Sequence, residues 1–232
     1  MAGFVRGFTG FGSALIYVPL MSAVYGPLIA APTFVIADVV TGLLFLSTTW
    51  RKTHWNEILP MAAAAIFAAQ FGTLILQYAN PITLRWALSI LVFVAVGVLQ
   101  SGWRYHGRPK LIVTIGVGLL AGLLGGAVQI SGPPIIVYWF GSGHPADILR
   151  ANFFGYFSVF SAASVATYAF HGLLTATVLT LSVFLTPATM AAMAVGTKCF
   201  HFVKEKTYRR VGYVVALLSG LLAMPLFDKW LH

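Results

Sequence analysis

Long apolar stretches separated by brief polar punctuation run the whole length of this chain. They fall at 2–26, 32–50, 58–77, 82–101, 111–141, 148–170, 173–200 and 211–228. Gly26-Pro27, Arg51-Lys52, Asn80-Pro81, Gly107-Arg108-Pro109, Gly143-His144-Pro145 and His171-Gly172 divide them. A helix of roughly 20 apolar residues crosses the hydrocarbon core of a bilayer, and six of the eight stretches have that length. The first and fifth do not read as ordinary spans. They are dense in Gly and Pro, both of which weaken a helix interior. Lipid supplies no water to satisfy a freed backbone group, so a broken helix at membrane depth is tolerated only where protein or a cavity surrounds it.

The two unusual stretches repeat each other. Gly3, Gly7, Gly10, Pro19 and Gly26 precede Gly118, Gly122, Gly125, Pro134 and Gly141 by a constant 115 positions. With small shifts in offset, Ala37-Asp38 answers Ala151-Asn152, Gly72-Thr73 answers Gly196-Thr197, and Thr83 and Arg85 answer Thr207 and Arg209. The chain thus reads as two homologous halves, 1–104 and 105–232, within one integral membrane domain. Paired halves with broken helices in matching places are the sequence mark of a secondary transporter.

Composition narrows the class further. Hydrophobic residues make up 59% of the 232 positions and charged residues 8%, with a mean hydropathy of +0.89. Soluble domains carry roughly 25% charged residues, so this chain's outer surface faces lipid. The net charge of +9 comes from basic residues in short interhelical stretches, where they set orientation and touch anionic headgroups rather than nucleic acid. One cysteine, Cys199, excludes an intrachain disulfide and a Cys-based zinc site or iron–sulfur cluster. No nucleotide-binding or catalytic motif appears, which disfavours an enzyme and leaves no cofactor or metal to expect. The six histidines are scattered and show no paired metal spacing. Arg6 before an apolar run resembles a signal peptide, but the Gly content, Pro19 and the lack of a cleavage site make that run part of the fold.

Charge also tests topology. If all eight stretches cross, the 14 Lys and Arg divide seven against seven between the faces. If the first and fifth dip in and return, one face holds Arg51, Lys52, Arg104, Arg108, Lys110, Arg150, Lys198, Lys204, Lys206, Arg209 and Arg210. The other keeps Arg6, Arg85 and Lys229. Eleven against three is the asymmetry expected of a membrane protein, with the basic face cytoplasmic. The expected fold is an all-α polytopic membrane protein of two inverted structural repeats, each a Gly/Pro-broken (re-entrant) segment plus three transmembrane helices.

Glycine-rich breaks expose backbone N–H groups, and the half-helix that follows places its positive end at membrane depth. Together these form a cradle for an anion. The candidate lining is Gly10, Gly12 and Ser13 from the first half with Gly125, Gly126, Gln129, Ser131 and Gly132 from the second. The bland alternative is that these glycines only let helices approach closely. Asp38 is the one acid well inside an apolar run, which makes it the candidate for carrying a coupling ion. Asn152, its counterpart, offers neutral hydrogen bonds to a substrate. Gln70, Thr73, Thr197 and Lys198 form a second tier. Thr at such sites commonly bonds its own helix, and Lys198 can snorkel. Arg85 and Arg209 read as anchors at loop–helix junctions.

The first stretch, GFVRGFTGFGSALIYVPLM, and the fifth, GLLAGLLGGAVQISGPPIIVYWF, resemble the glycine-rich, proline-terminated segments that open each half of the TauE/SafE sulfite-exporter family. The Gly132-Pro133-Pro134 run and the paired Gly-Thr elements fit that pattern, and the resemblance covers essentially the whole chain. The first half departs from it, with Ser13 and Ala14 where many members carry glycine and a short apolar lead before Gly3. The resemblance implies ion-coupled export or uptake of a small sulfur-containing or carboxylate anion in a bacterial inner membrane. An anion channel and a non-transporting scaffold subunit are the other readings of the same pattern, and a homo-oligomer is compatible with all three.

Overall fold

The computed structural model describes residues 1–9, 12–102, 110–199 and 205–227, and among these the regular structure is entirely helical. The broken first segment gives α1 (Ala2–Thr9) and α2 (Ala14–Tyr25), followed by α3 (Pro27–Thr49), α4 (Trp55–Tyr78) and α5 (Pro81–Ser101). Then come α6 (Leu111–Val128), α7 (Gly132–Phe140), α8 (Ala146–Phe170), α9 (Ala176–Cys199) and α10 (Glu205–Ala223). Local chemistry sets the boundaries. Gly26, at φ 81°, ends α2, and Pro27 opens α3, where its missing N–H costs nothing. Asn80 caps α5 by accepting the Ile82 N–H at 2.8 Å. The left-handed Gly102 closes the same helix.

Six described helices are long and apolar enough to cross a bilayer: α3 with its short extension to Lys52, α4, α5, α6, α8 and α9. α6 has 18 residues, about 27 Å at 1.5 Å each, which is more than the short hairpin arm the glycine density suggested. Its glycines leave the helix intact because they face a neighbour. A Cβ on Gly118, Gly122 or Gly126 would collide with the backbone carbonyl of Met61, Ala65 or Ala69 on α4, and one on Gly72 with that of Leu123. The opposite face of α6 presents Leu111, Ile112, Leu119 and Leu120 outward, as a lipid-facing surface requires.

The same device recurs between α1 and α9. A Cβ on Gly3 or Gly7 would strike the carbonyl of Thr189 or Met193, and one on Gly196 that of Phe4. α1 therefore packs, glycine to backbone, on α9 in the same way as α6 packs on α4. Contacts equate Gly3, Phe4 and Gly7 with Gly122, Leu123 and Gly126, an offset of 119 rather than the 115 counted along the sequence. Glycines at 118, 122 and 126 recur every four residues, so a register one turn off still matches Gly3 and Gly7 to glycines.

Chain direction follows from these pairs. Contacts between α4 and α6 rise together, as do Ile58 with Gly155 and Gln70 with Thr167 between α4 and α8. α4, α6 and α8 thus run parallel. Asp38 with Ser161, Gly42 with Ser158 and Phe45 with Phe154 make α3 antiparallel to α8. Both ends of the fifth segment consequently lie at the end of the bundle where α4 starts, and Lys52 pairs there with Asp147 at 3.1 Å.

Candidate functional site

The two breaks face each other across α3 and α8. Gly12, at φ 85°, and Ser13 turn the chain between α1 and α2. Gln129, at φ 57°, Ile130 and Ser131 turn it between α6 and α7. Gln129 is the only described non-glycine residue with positive φ. That conformation costs a side-chain-bearing residue about 1–2 kcal/mol and persists because the side chain is held. Its Nε2 donates to the Tyr168 hydroxyl at 2.9 Å, and that hydroxyl donates to the Gly126 carbonyl at 3.1 Å.

Gly12 and Ser13 from the first break and Gln129, Ser131 and Gly132 from the second line one cavity. Arg6, Asp38 and Ser161 complete its polar wall, and Phe34, Phe157 and Phe160 contribute to the apolar side. At about 20 Å³ it has room for about one water. The Ser13 hydroxyl is buried there with no hydrogen-bond partner among the described residues, so the wall holds an unused donor and acceptor.

The charged feature of the cavity is an ion pair. Arg6 Nη2 donates to Asp38 Oδ2 at 3.0 Å, and Nη1 sits 2.8 Å from Oδ1. Ser161 also donates its hydroxyl to Oδ2. The two side chains are 3% and 2% exposed, and the guanidinium lies 5.3 Å from the Phe157 ring centroid and 6.0 Å from that of Phe154. Arg6 reaches this position because α1 is pressed against α9 through Gly3 and Gly7 on either side of it. The Gly7 carbonyl accepts from Arg150 at 2.7 Å and from Thr197 at 3.1 Å. Those bonds satisfy an orphan carbonyl near the end of α1.

A larger crevice of about 440 Å³ lies between α5, α6 and α7, but Leu91, Val94, Val117, Leu124 and Val137 make it apolar. It offers an anion nothing. Charged and polar side chains line the cavity at the breaks instead.

The family of sulfite exporter TauE/SafE matches residues 1–223 of this chain. The chain belongs to the TauE/SafE family. Among curated proteins, it is 23% identical over 236 residues to a probable sulfite/organosulfonate exporter TauE of Cupriavidus necator, covering 96% of this chain and 90% of that one. No solved structure matches it. As a TauE/SafE protein with six long apolar helices, it is an integral membrane protein of a transporter family.

Of the residues expected at the site of this TauE/SafE protein, Gly12, Ser13, Asp38, Gln129, Ser131 and Gly132 line the shared cavity. Gly125 lies behind it, against the Phe160 ring and Ser131. Gly126 serves helix approach, on the Ala69 carbonyl. Gly10 lies outside the described residues. Asn152 is fully buried elsewhere, its Oδ1 accepting the His54 backbone N–H at 2.8 Å. In the second tier, Gln70 bonds Thr167 at 2.8 Å, Thr73 bonds its own helix, and Lys198 is exposed. Arg85 is buried, and its Nε donates to the Ala223 carbonyl at 3.0 Å, capping the end of α10 rather than anchoring in headgroups. The Arg209 side chain lies outside the described residues.

Sequence reasoning missed Arg6, Ser161 and the phenylalanines of α8. Arg6 had been counted with the loop charges, although it stands between two glycines in the segment expected to form the site. That placement was the available signal.

Proposed function

We propose that this protein is a secondary transporter, working as an exporter, of a small anion such as sulfite or an organosulfonate. Arg6 is the anion's cationic contact, and Asp38 carries the coupling proton. The observation that supports the reading best is the buried Arg6–Asp38 pair in a cavity shared by both broken segments. The substrate class is suggested by the family and by the name of the C. necator relative.

Electrostatics supplies the mechanism. Arginine binds oxyanions through a planar fork of donors, but here that fork is committed to Asp38. A bare anion entering a site already neutral overall would bury a net negative charge, which is costly. Protonating Asp38 removes its claim on Arg6 and leaves one positive charge for the anion to neutralise. Anion and proton therefore cross together, one proton for a singly charged anion, and export runs down the anion's own outward concentration gradient. Ser13, Ser131, backbone N–H groups at the start of α2 and the Gly132 N–H of α7, which Pro133 and Pro134 follow without N–H groups of their own, receive the remaining oxygens.

In the state described here the cavity, at about 20 Å³, is smaller than a solute, which favours alternating access over an open channel. Rocking one half against the other about the two breaks would open it to each side in turn. Opposed halves are supported by the antiparallel contact between α3 and its counterpart α8. Re-entrant opening segments are supported by the two ends of α6–α7 lying at one end of the bundle.

The test is flux of sulfite, an organosulfonate and a small carboxylate into proteoliposomes under an imposed pH gradient. The expected result is saturable, gradient-driven flux of a sulfur oxyanion that Arg6→Gln abolishes. Counterflow without net gradient-driven movement in Asp38→Asn is expected if Asp38 carries the proton. Folded protein without flux of any of the three would remove the proposal in favour of a scaffold role.

A further inference from the structure

At the end of the bundle where α4 starts, three side chains distant in sequence converge. His54 precedes α4, Glu57 lies in its first turn, and His144 comes from the loop between α7 and α8. His144 Nε2 is 3.0 Å from Glu57 Oε1 and 3.3 Å from Oε2, and His54 Nδ1 is 3.6 Å from Oε1. The imidazole rings meet edge to face with centroids 4.9 Å apart. One ligating atom from each of the three residues lies within 4.8 Å of the others.

We propose that His54, Glu57 and His144 form a divalent transition-metal site, separate from the transport cavity. Tetrahedral zinc holds nitrogen and oxygen ligands at about 2.0–2.2 Å, which spaces neighbouring ligand atoms about 3.4 Å apart. The separations to Glu57, 3.0 to 3.6 Å, bracket that value, and the two imidazole ligand atoms lie within 4.8 Å of each other. Two imidazoles and a carboxylate suit zinc and its neighbours cobalt, nickel and copper, whereas magnesium and calcium favour all-oxygen shells. Side-chain exposures of 41% for His54, 26% for Glu57 and 22% for His144 leave a path for the ion and a fourth position for water.

The surroundings hold the ligands in place. The buried Asn152 fixes the His54 backbone through its N–H, Thr53 donates to the Ala151 carbonyl at 3.4 Å, and Lys52 pairs with Asp147. His54 and Glu57 belong to the first half of the chain and His144 to the second. A bound metal therefore ties the start of α4 to the loop after α7. The competing use of the same atoms is a simple hydrogen bond between His144 and the Glu57 carboxylate.

The test uses full-length, tag-free protein in detergent. Co²⁺ is titrated by absorbance and Zn²⁺ by calorimetry, with thermal unfolding followed in parallel. One saturable equivalent, a tetrahedral cobalt spectrum displaced by Zn²⁺, and a raised unfolding midpoint are expected. His144→Ala and Glu57→Gln should each weaken binding at least about tenfold, while His171→Ala leaves it unchanged. Glu57→Gln keeps the side chain's shape and guards against a folding artefact in His144→Ala. Absence of saturable binding, or binding that His144→Ala and Glu57→Gln leave intact, overturns the proposal and leaves the hydrogen bond alone.

Discussion

Replacing Asp38 with Asn strips Arg6 of its counter-charge while keeping the shape of the side chain. The pair lies 2.8–3.0 Å apart with 3% and 2% exposure, so the freed guanidinium has little water to turn to. With charge centres about 4 Å apart and an effective dielectric of about 20, the lost attraction is about 4 kcal/mol. Removing one partner of a buried pair costs about 3–5 kcal/mol, in agreement. The double variant Arg6→Gln/Asp38→Asn buries no charge, and its two amides can bond each other. It should recover most of that loss, since neutral replacements of buried pairs are often as stable as the pair. Unfolding in mixed micelles by added SDS, followed by tryptophan fluorescence, reads both. Flux separates stability from transport: the double variant should be stable and inactive. Added sulfite should stabilise the single variant more than the native protein, because its Arg6 is uncommitted. A loss below about 1 kcal/mol in Asp38→Asn, or a double variant no more stable than the single, would refute the buried-pair argument.

Other expectations concern the framework. Gly122→Ala drives a Cβ into the Ala65 backbone and should destabilise by about 1–3 kcal/mol, whereas Gly97→Ala, with open space around it, should be neutral or stabilising by up to about 1 kcal/mol; thermal melts of the two compare them directly. Gln129→Gly relieves the left-handed strain but loses the bond to Tyr168, so its stability should stay within about 1 kcal/mol of native while Gln129→Val falls well below it. Asn152→Ala removes the acceptor for the His54 N–H and should cost about 1–3 kcal/mol with substrate KM unchanged; a raised KM would return Asn152 to the substrate site.

The helices and the positions of both breaks were legible because lipid imposes a simple rule on every span. Uninterrupted apolar length means crossing, and Gly or Pro density means a special environment. Asp38 was legible for the same reason, as an acid where none is cheap. Two features were not. Glycine density alone does not separate a broken helix from a close-packed one, and in α6 Gly118, Gly122 and Gly126 pack on α4 while the break falls only at Gln129–Ser131. Arg6 was counted with the charges of a membrane face because its partner lies 32 residues away, on α3.

Moving Arg6 from the surface to the cavity also alters the charge argument that had misplaced it. Of the three basic residues counted on the sparse face, Arg6 is in the ion pair and Arg85 is buried at the end of α10, and Lys229 lies outside the described residues. On the other face Arg150 is partly withdrawn, bonded to the Gly7 carbonyl. Among the described side chains, Arg51, Lys52, Lys110 and Lys198 are exposed on that face and none remains on the sparse one, so the asymmetry that favoured re-entrant segments persists when interior charges are removed. Both interior arginines do work that a surface charge cannot. Each supplies donors where helix ends or an acid would otherwise sit unpaired in a low-dielectric interior. The positive-inside rule reads only charges that meet water and headgroups. Charges that satisfy helix ends or line the cavity have to be subtracted before orientation is read.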